Sequence, residues 1–211
     1  MRSFVPVLII LGVACTAKDS GTTAKSDTTS TTASSSTETA IRSTETAVAP
    51  EVNPPGDIPD SQAFVKFSNT TGGYELQVPE GWSRQAAPPE YSSDVTFVHN
   101  YDGVGVHVAP ASAAPTAASV QTNEVKQIQA RGRAVTITGV SEANLIGGKA
   151  VVVKYTSNSD PNPVTNKQVR LENETYIFYK NGKEAMLTVW APMGADNVDQ
   201  WNLMANSFRW L

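Results

Sequence analysis

The chain has 211 residues, 16 Lys or Arg against 20 Asp or Glu, a formal net charge of −4 and a single cysteine. One thiol excludes an intrachain disulfide and a multi-cysteine metal centre. Near-balanced charge without a basic cluster excludes binding to nucleic acid by phosphate neutralisation, and no run approaches the roughly 20 apolar residues of a membrane-spanning helix.

The chain begins Met1-Arg2-Ser3, continues through an uncharged apolar run over residues 4–14, and reaches Cys15. A short positive region, a brief apolar region and small residues before the cut form a secretory leader. With Cys at the cut, this is the arrangement of a bacterial lipoprotein signal. Residues 1–14 read as the signal peptide and Cys15 as the lipidation site. Gly12 stands where that pattern usually carries Leu, with Leu11 one position earlier. A lipid on Cys15 would place the rest of the chain outside the cytoplasm, anchored to a bacterial membrane, with no thiol left for chemistry.

Residues 15–60 are dominated by Ser, Thr and Ala, with scattered charges and few large apolar side chains (Ile41, Val48, Val52, Ile58). Such a stretch cannot bury enough surface to offset its ordering entropy, so it reads as a disordered tether. About 45 flexible residues have an r.m.s. span of roughly 35–40 Å and an extended reach of about 150 Å. Residues 61–211 are then a single domain of ordinary size.

Within it, residues 64–67 and 74–78 read as strands around the Asn69-Thr70-Thr71-Gly72-Gly73 turn, and Pro79 and Gly81 end the second. Trp82 follows as a core anchor. Residues 95–101 and 104–108 flank Asp102-Gly103, a two-residue hairpin signal. Residues 134–140 and 149–155 alternate apolar and polar around Gly147-Gly148. Residues 174–179 and 185–190 flank Asn181-Gly182, which predicts a type I′ turn. Residues 116–131 read as a helix capped by Thr116 and ended by Gly132. A terminal helix over 196–210, capped by Asp196, carries the stripe Val198, Trp201, Ala205 and Phe208. Hairpins with one inserted and one terminal helix predict an α+β sandwich.

In order, Tyr74-x-Leu76-x-x-Pro79-x-Gly81-Trp82, the Gly148-x-Ala150 strand, the hairpin from Tyr176 through Asn181-Gly182 to Leu187-Thr188, and Asn206-Ser207-Phe208-Arg209 give the chain a resemblance. It resembles the PsbP-like superfamily, which takes in the extrinsic photosystem II subunit, the Ran-binding Mog proteins and bacterial lipoproteins of the DcrB and LpqN type. The resemblance covers nearly all of the domain from Phe64. It implies a central antiparallel β-sheet flanked by helices on both faces, and a non-catalytic binding or assembly module. It carries over no shared active-site residue.

His99 and His107 are the only histidines. With Asp102-Gly103 as the loop, His99 opposes Val106 and Val98 opposes His107, so the histidines face opposite sides of the sheet and form no joint metal site. On this register His99 is a hydrogen-bonded residue at the rim of the apolar face and His107 is exposed. No Gly-x-Ser-x-Gly turn and no phosphate-binding loop occurs. Asp94 with Asp102, or Glu172 with Glu174, are the available carboxylate pairs, and the second sits on a polar, solvated stretch. Trp201 and Trp190 read as structural, and Trp210, next to the chain end, is the candidate partner-binding aromatic. The loops over 85–94 and 156–166 are long enough for recognition. Asn69 and Asn173 begin glycosylation sequons that a bacterial leader would leave silent.

The sequence therefore predicts no catalytic residue, metal or cofactor. It predicts a lipid-anchored envelope protein whose domain binds another envelope protein. The competing readings are a secreted enzyme with an unrecognised site and a small-molecule or metal carrier using a groove between sheet and helix.

Overall fold

The computed structural model describes residues 44–87 and 92–211. The apolar leader, Cys15 and the tether up to residue 43 lie outside the described residues, as do residues 88–91. Among the described residues no helix is long and apolar enough to cross a membrane.

Alternation of apolar and polar side chains makes the strands. β1 (Phe64–Asn69) and β2 (Tyr74–Pro79) form a hairpin whose second strand buries Tyr74, Leu76 and Val78 and turns Gln77 to solvent. β2 also pairs with β10 (Arg209–Trp210), completing a three-stranded antiparallel sheet. A second, seven-stranded sheet is built from β3 (Ser83–Gln85), β4 (Val95–His99), β5 (Asp102–Pro110), β6 (Arg133–Leu145), β7 (Gly148–Asn158), β8 (Arg170–Lys180) and β9 (Lys183–Pro192). Its order is β3-β4-β5-β9-β8-β7-β6, antiparallel throughout.

The two faces of the large sheet are both apolar but are covered differently. One face carries Phe97, Val104, Val106, Val152, Phe178, Leu187 and Val189. It is closed by the small sheet and by α3 (Val198–Ser207), which contribute Leu76, Val78, Trp201 and Met204, and by Phe208, the C-cap of α3. Phe208 stacks on Phe178 at 4.4 Å and on Tyr74 at 5.8 Å. Each such fully buried side chain stabilises the fold by about 1.5–3 kcal/mol. The other face carries Val151, Val153 and Ile177 beneath α1 (Ala117–Thr122) and α2 (Glu124–Arg131), which supply Val120, Val125 and Ile128. The molecule is thus an α+β sandwich with the large sheet in the middle, as expected.

Several sequence readings are refined. The Asn181-Gly182 turn forms as predicted, with φ of 51° and 78° and Lys180 opposite Lys183. The β4–β5 turn instead uses Asn100-Tyr101: Asn100 takes φ 53°, His99 opposes Asp102 and Phe97 opposes Val104. Gly103 is required within the strand, because a Cβ there would lie 1.9 Å from the Trp190 ring. Residues 116–131 form two helices broken at Asn123; the Thr116 cap holds, in a capping box with Ser119. The terminal helix is shorter than predicted and its N-cap is Asn197, one residue after Asp196. The Asn197 side chain makes no cap because it accepts from the Ile58 N–H at 2.6 Å and donates to the Gly56 carbonyl at 2.7 Å.

Those bonds also correct the tether boundary. Residues 44–60, assigned by composition to a disordered segment, touch the domain at several positions. Ile58 is buried with the core. The Val48 N–H donates to Asn158, and Glu45 pairs with Arg133. A few anchored positions hold a stretch whose average composition is unfavourable.

Buried Arg170 fixes the far edge of the large sheet. Its guanidinium donates to the Ala134 carbonyl at 2.8 Å, to Asn158 Oδ1 at 3.0 Å and to the Thr156 hydroxyl at 2.5 Å. Ala134 adopts φ 46° in the bulged start of β6, and that turned carbonyl is what Arg170 binds. Burial among neutral acceptors lowers the Arg170 pKa.

Candidate functional site

The helix pair covers β6, β7 and β8 and leaves part of that face over β4, β5 and β9 open. A groove with a cavity of about 360 Å³ lies there. Its wall is α2 and its C-cap (Ile128, Arg131, Gly132), and its floor is the sheet. Register explains the floor: Thr96 opposes Gly105, Gly105 opposes Thr188, and Thr188 opposes Thr175, so three threonines and a glycine form one row across four strands. The Thr175 and Thr188 hydroxyls are 2.9 Å apart and bond each other. Tyr155 and Ser157 from β7 complete that side. Burial raises the Tyr155 pKa, with the Thr175 hydroxyl acting in the opposite sense, so the phenol stays protonated.

The next position along β5 places His107 on the floor beside Met186. Asp94 Oδ2 lies 2.7 Å from His107 Nδ1, and Asp94 Oδ1 accepts the Val108 N–H at 3.0 Å. With both oxygens engaged, the carboxylate fixes the ring and calls for a proton on Nδ1, leaving Nε2 as an acceptor in the neutral form. This is the base-and-orienter half of a nucleophilic site. Among the described residues, however, no Ser or Thr hydroxyl is hydrogen-bonded to His107. As it stands, the floor offers hydroxyls, a phenol and an imidazole nitrogen in a concave, partly apolar trough, which suits recognition by hydrogen bonds.

The groove has neighbours at both ends. A 420 Å³ hollow shares Arg131 and Gly132 with it and is bounded by Tyr101, Asn173 and Trp190. At the other end a 460 Å³ hollow shares His107 and Met186 and carries Glu124 and Glu184. Burial, then the neighbouring Glu124 charge, pushes the Glu184 carboxyl up to about 7, while His107 acts in the opposite direction. Glu124 Oε2 is buried without a hydrogen-bond partner.

The residues singled out in the sequence distribute as follows. His99 and His107 do face opposite sides, although on a different register. His99 is exposed and stacks on Trp82 at 6.4 Å. His107 is half-buried and paired with Asp94, where the sequence placed it in solvent. Asp94 and Asp102 lie on opposite faces of the sheet. Glu174 is held by Lys154 and by the Tyr176 hydroxyl, both at 2.5 Å. Trp210 is not an exposed anchor: it is half-buried in β10, edge-on to Phe208 at 5.4 Å, with its Nε1 buried. Asn69 and Asn173 are buried, with side chains bonded internally. Among the described residues no group of three or more His, Cys, Asp or Glu is placed to hold a metal ion. The threonine row was missed because its members come from separate strands. Only the pairing of β5 with β9 and β9 with β8 aligns them.

No protein-family model matches the chain, and no curated protein matches it. Comparison with solved structures finds similar chains at low sequence identity. The chain is similar to the cyanobacterial PsbP (CyanoP) of Synechocystis sp. PCC 6803, at 17% identity over 74% of this chain and 99% of that one, with a TM-score of 0.48. It is also similar to LpqN of Mycobacterium tuberculosis, described as involved in cell envelope biogenesis, at 14% identity over 71% and 85%, TM-score 0.39. A third, protein PA94 of Pseudomonas aeruginosa, of unknown function, shares 10% identity over 68% and 94%, TM-score 0.38.

Proposed function

We propose that this chain is an extracytoplasmic, lipid-anchored binding module in which the groove between α2 and strands β4, β5 and β9 takes up a segment of an envelope protein. The anchor is Cys15, and the support for it is the order of the sequence: leader, cysteine, Ser/Thr-rich stretch, domain. The observation that carries the binding reading is the groove floor. Thr96, Thr175 and Thr188 line up beside a carboxylate-fixed His107, so adaptable donors and acceptors sit at the bottom of a partly apolar trough. Such a surface recognises extended polar chains through hydrogen bonds while excluding water at its edges. Its volume also lies in the range of small-molecule sites, which favours a small polar ligand as the second reading.

Photocrosslinking in the intact envelope tests the first reading. A photoreactive side chain at Met186, in the groove, is expected to give one discrete protein adduct, and the same group at exposed Val65 in β1 none. Equal adducts at both positions, or none at Met186, would overturn the envelope-protein reading. A ligand retained by the purified protein in native mass spectrometry and lost in Thr188→Trp would establish the small-ligand reading instead. Mass spectrometry of the mature N-terminus tests the anchor, and an unmodified Cys15 would dismiss it.

A further inference from the structure

A second cleft lies on the opposite face of the large sheet from the groove, where residues 57–62 pass over the β4–β5 hairpin. Its volume is about 230 Å³, and Asp57, Gln62, Trp82, His99 and Asp102 line it. Asp102 is the unusual member. It is 3% exposed, and its Oδ1 has no hydrogen-bond partner. A buried, unbonded carboxylate oxygen costs stability unless a donor reaches it. The covering segment supplies none, although it packs close: a Cβ on Gly56 would fall 2.7 Å from Asp102 Oδ1 and 2.8 Å from Pro192.

The amide donor nearest the cleft mouth is already used. Gln62 Nε2 donates to the Ala63 carbonyl at 2.8 Å and to the Glu80 carbonyl at 3.1 Å. No Lys or Arg lines the cleft, whereas Asp57 and Glu80 add negative charge at its mouth. Asp57 spends one oxygen on the Asp196 N–H at 2.9 Å. Along one wall the Trp82 indole stacks on His99 with an interplanar angle of 18°. The cleft therefore offers acceptors, negative charge and an aromatic face, and asks its occupant for donors and positive charge. No three-ligand metal set is present among the described residues, which leaves an organic cation.

We propose that this cleft binds a primary ammonium group on a short aliphatic chain, with Asp102 Oδ1 accepting an N–H, Asp57 contributing charge and Trp82 packing against the cation. Indole is the best of the aromatic faces for a cation, and a buried carboxylate–ammonium pair is favourable where donor and acceptor are otherwise unmatched. The shared chemistry is the ammonium, whether it comes from a free amine or from a lysine side chain of another protein.

The test is NMR titration of the purified protein with 1,4-diaminobutane and, separately, with Nα-acetyl-lysine methylamide, reading the Trp82 indole N–H and the His99 ring. Saturable shifts with 1,4-diaminobutane alone assign the site to free amines, and shifts with both extend it to lysine side chains. Butan-1-ol, which lacks the charge, is expected to give none. Asp102→Asn is expected to weaken binding at least about tenfold, and Trp82→Leu to weaken it less while leaving Asp102 able to bind. Amide spectra of both variants establish that they fold. A third variant, Asp57→Asn, alters only an exposed residue and is expected to reduce affinity by about threefold. Absence of shifts with either amine up to about 10 mM, unchanged affinity in folded Asp102→Asn, or equal binding of butan-1-ol would overturn the assignment.

Discussion

Glu45 and Arg133 stand 88 positions apart in the chain, and their side chains meet at 2.9 Å. The same carboxylate accepts from Asn158 and from Gln168, so one residue of a Ser/Thr-rich stretch is tied to β6, to the end of β7 and to the loop before β8. Burial works to raise the Glu45 carboxyl, but the hydrogen bonds from Asn158, Arg133 and Gln168 outweigh it and hold its pKa below the usual 4.5. Glu45→Ala is expected to lower stability by about 1–3 kcal/mol, read as a fall in the urea midpoint at unchanged slope. The loss should fade as pH drops through the carboxylate range, because a depressed carboxyl stabilises the fold only while ionised.

Gly103 lies flat beneath Trp190. Gly103→Ala would drive a methyl group into the indole, at 1.9 Å from Cζ2, and is expected to cost about 1–3 kcal/mol by overpacking. Pairing it with Trp190→Val should recover part of that loss. Chemical denaturation of the four members of the cycle measures the coupling.

Two carboxyls impose a pH dependence of the opposite sign to Glu45. Burial, then the Asp57 charge, pushes Asp102 up to about 7, and Glu184 reaches a similar value. In the unfolded chain these groups lose their protons near 3.8 and 4.5. Between those values and about 7 the folded state holds more protons, so stability falls as pH rises, by at most about 1.4 kcal/mol per unit for each group. The contribution is complete below pH 4 and flat above 7. Glu184 is partly exposed and weighs less, through solvent screening. Urea midpoints should decline from pH 5 through 6 to 7 and level off by pH 8, and Asp102→Asn with Glu184→Gln should flatten the decline.

Asp94 sets the tautomer of His107. The neutral ring is expected to carry its proton on Nδ1, a minority form for a free imidazole, which nitrogen-15 chemical shifts report directly. In Asp94→Asn the Nδ1 preference should weaken, and amide exchange at Val108 should quicken by about tenfold with loss of its bond to Asp94 Oδ1. An Nε2-protonated ring in the parent protein would contradict the geometry.

The architecture was largely legible because period-two alternation and turn chemistry are local. β2, the Asn181-Gly182 hairpin and the Thr116 cap depend on neighbours within a few residues. What misled was a residue serving two grammars: Asp102-Gly103 spells a turn, yet Gly103 is there to admit Trp190 and Asp102 to face a cleft. Asn197 illustrates the same point, since its side chain is diverted from helix capping to hold residues 56–58. Composition placed those residues in the tether because it averages over a stretch, while docking depends on Glu45, Val48 and Ile58 individually. The groove was illegible for a topological reason, because its threonines lie on three strands whose order does not follow the sequence.

That order has a kinetic consequence. β5 finds its inner partner only in β9, with Val104 against Val189 and Val106 against Leu187, after both other helices and three strands have been made. Pairings of such long sequence separation are slow, because loop-closure entropy is spent before any contact rewards it. An N-terminal fragment ending before β9 would leave β5 and β8 with open edges and no shared sheet. The large sheet thus closes only once β9 has been made, so β5 and β8 stay unpaired at their inner edges through most of the chain's length.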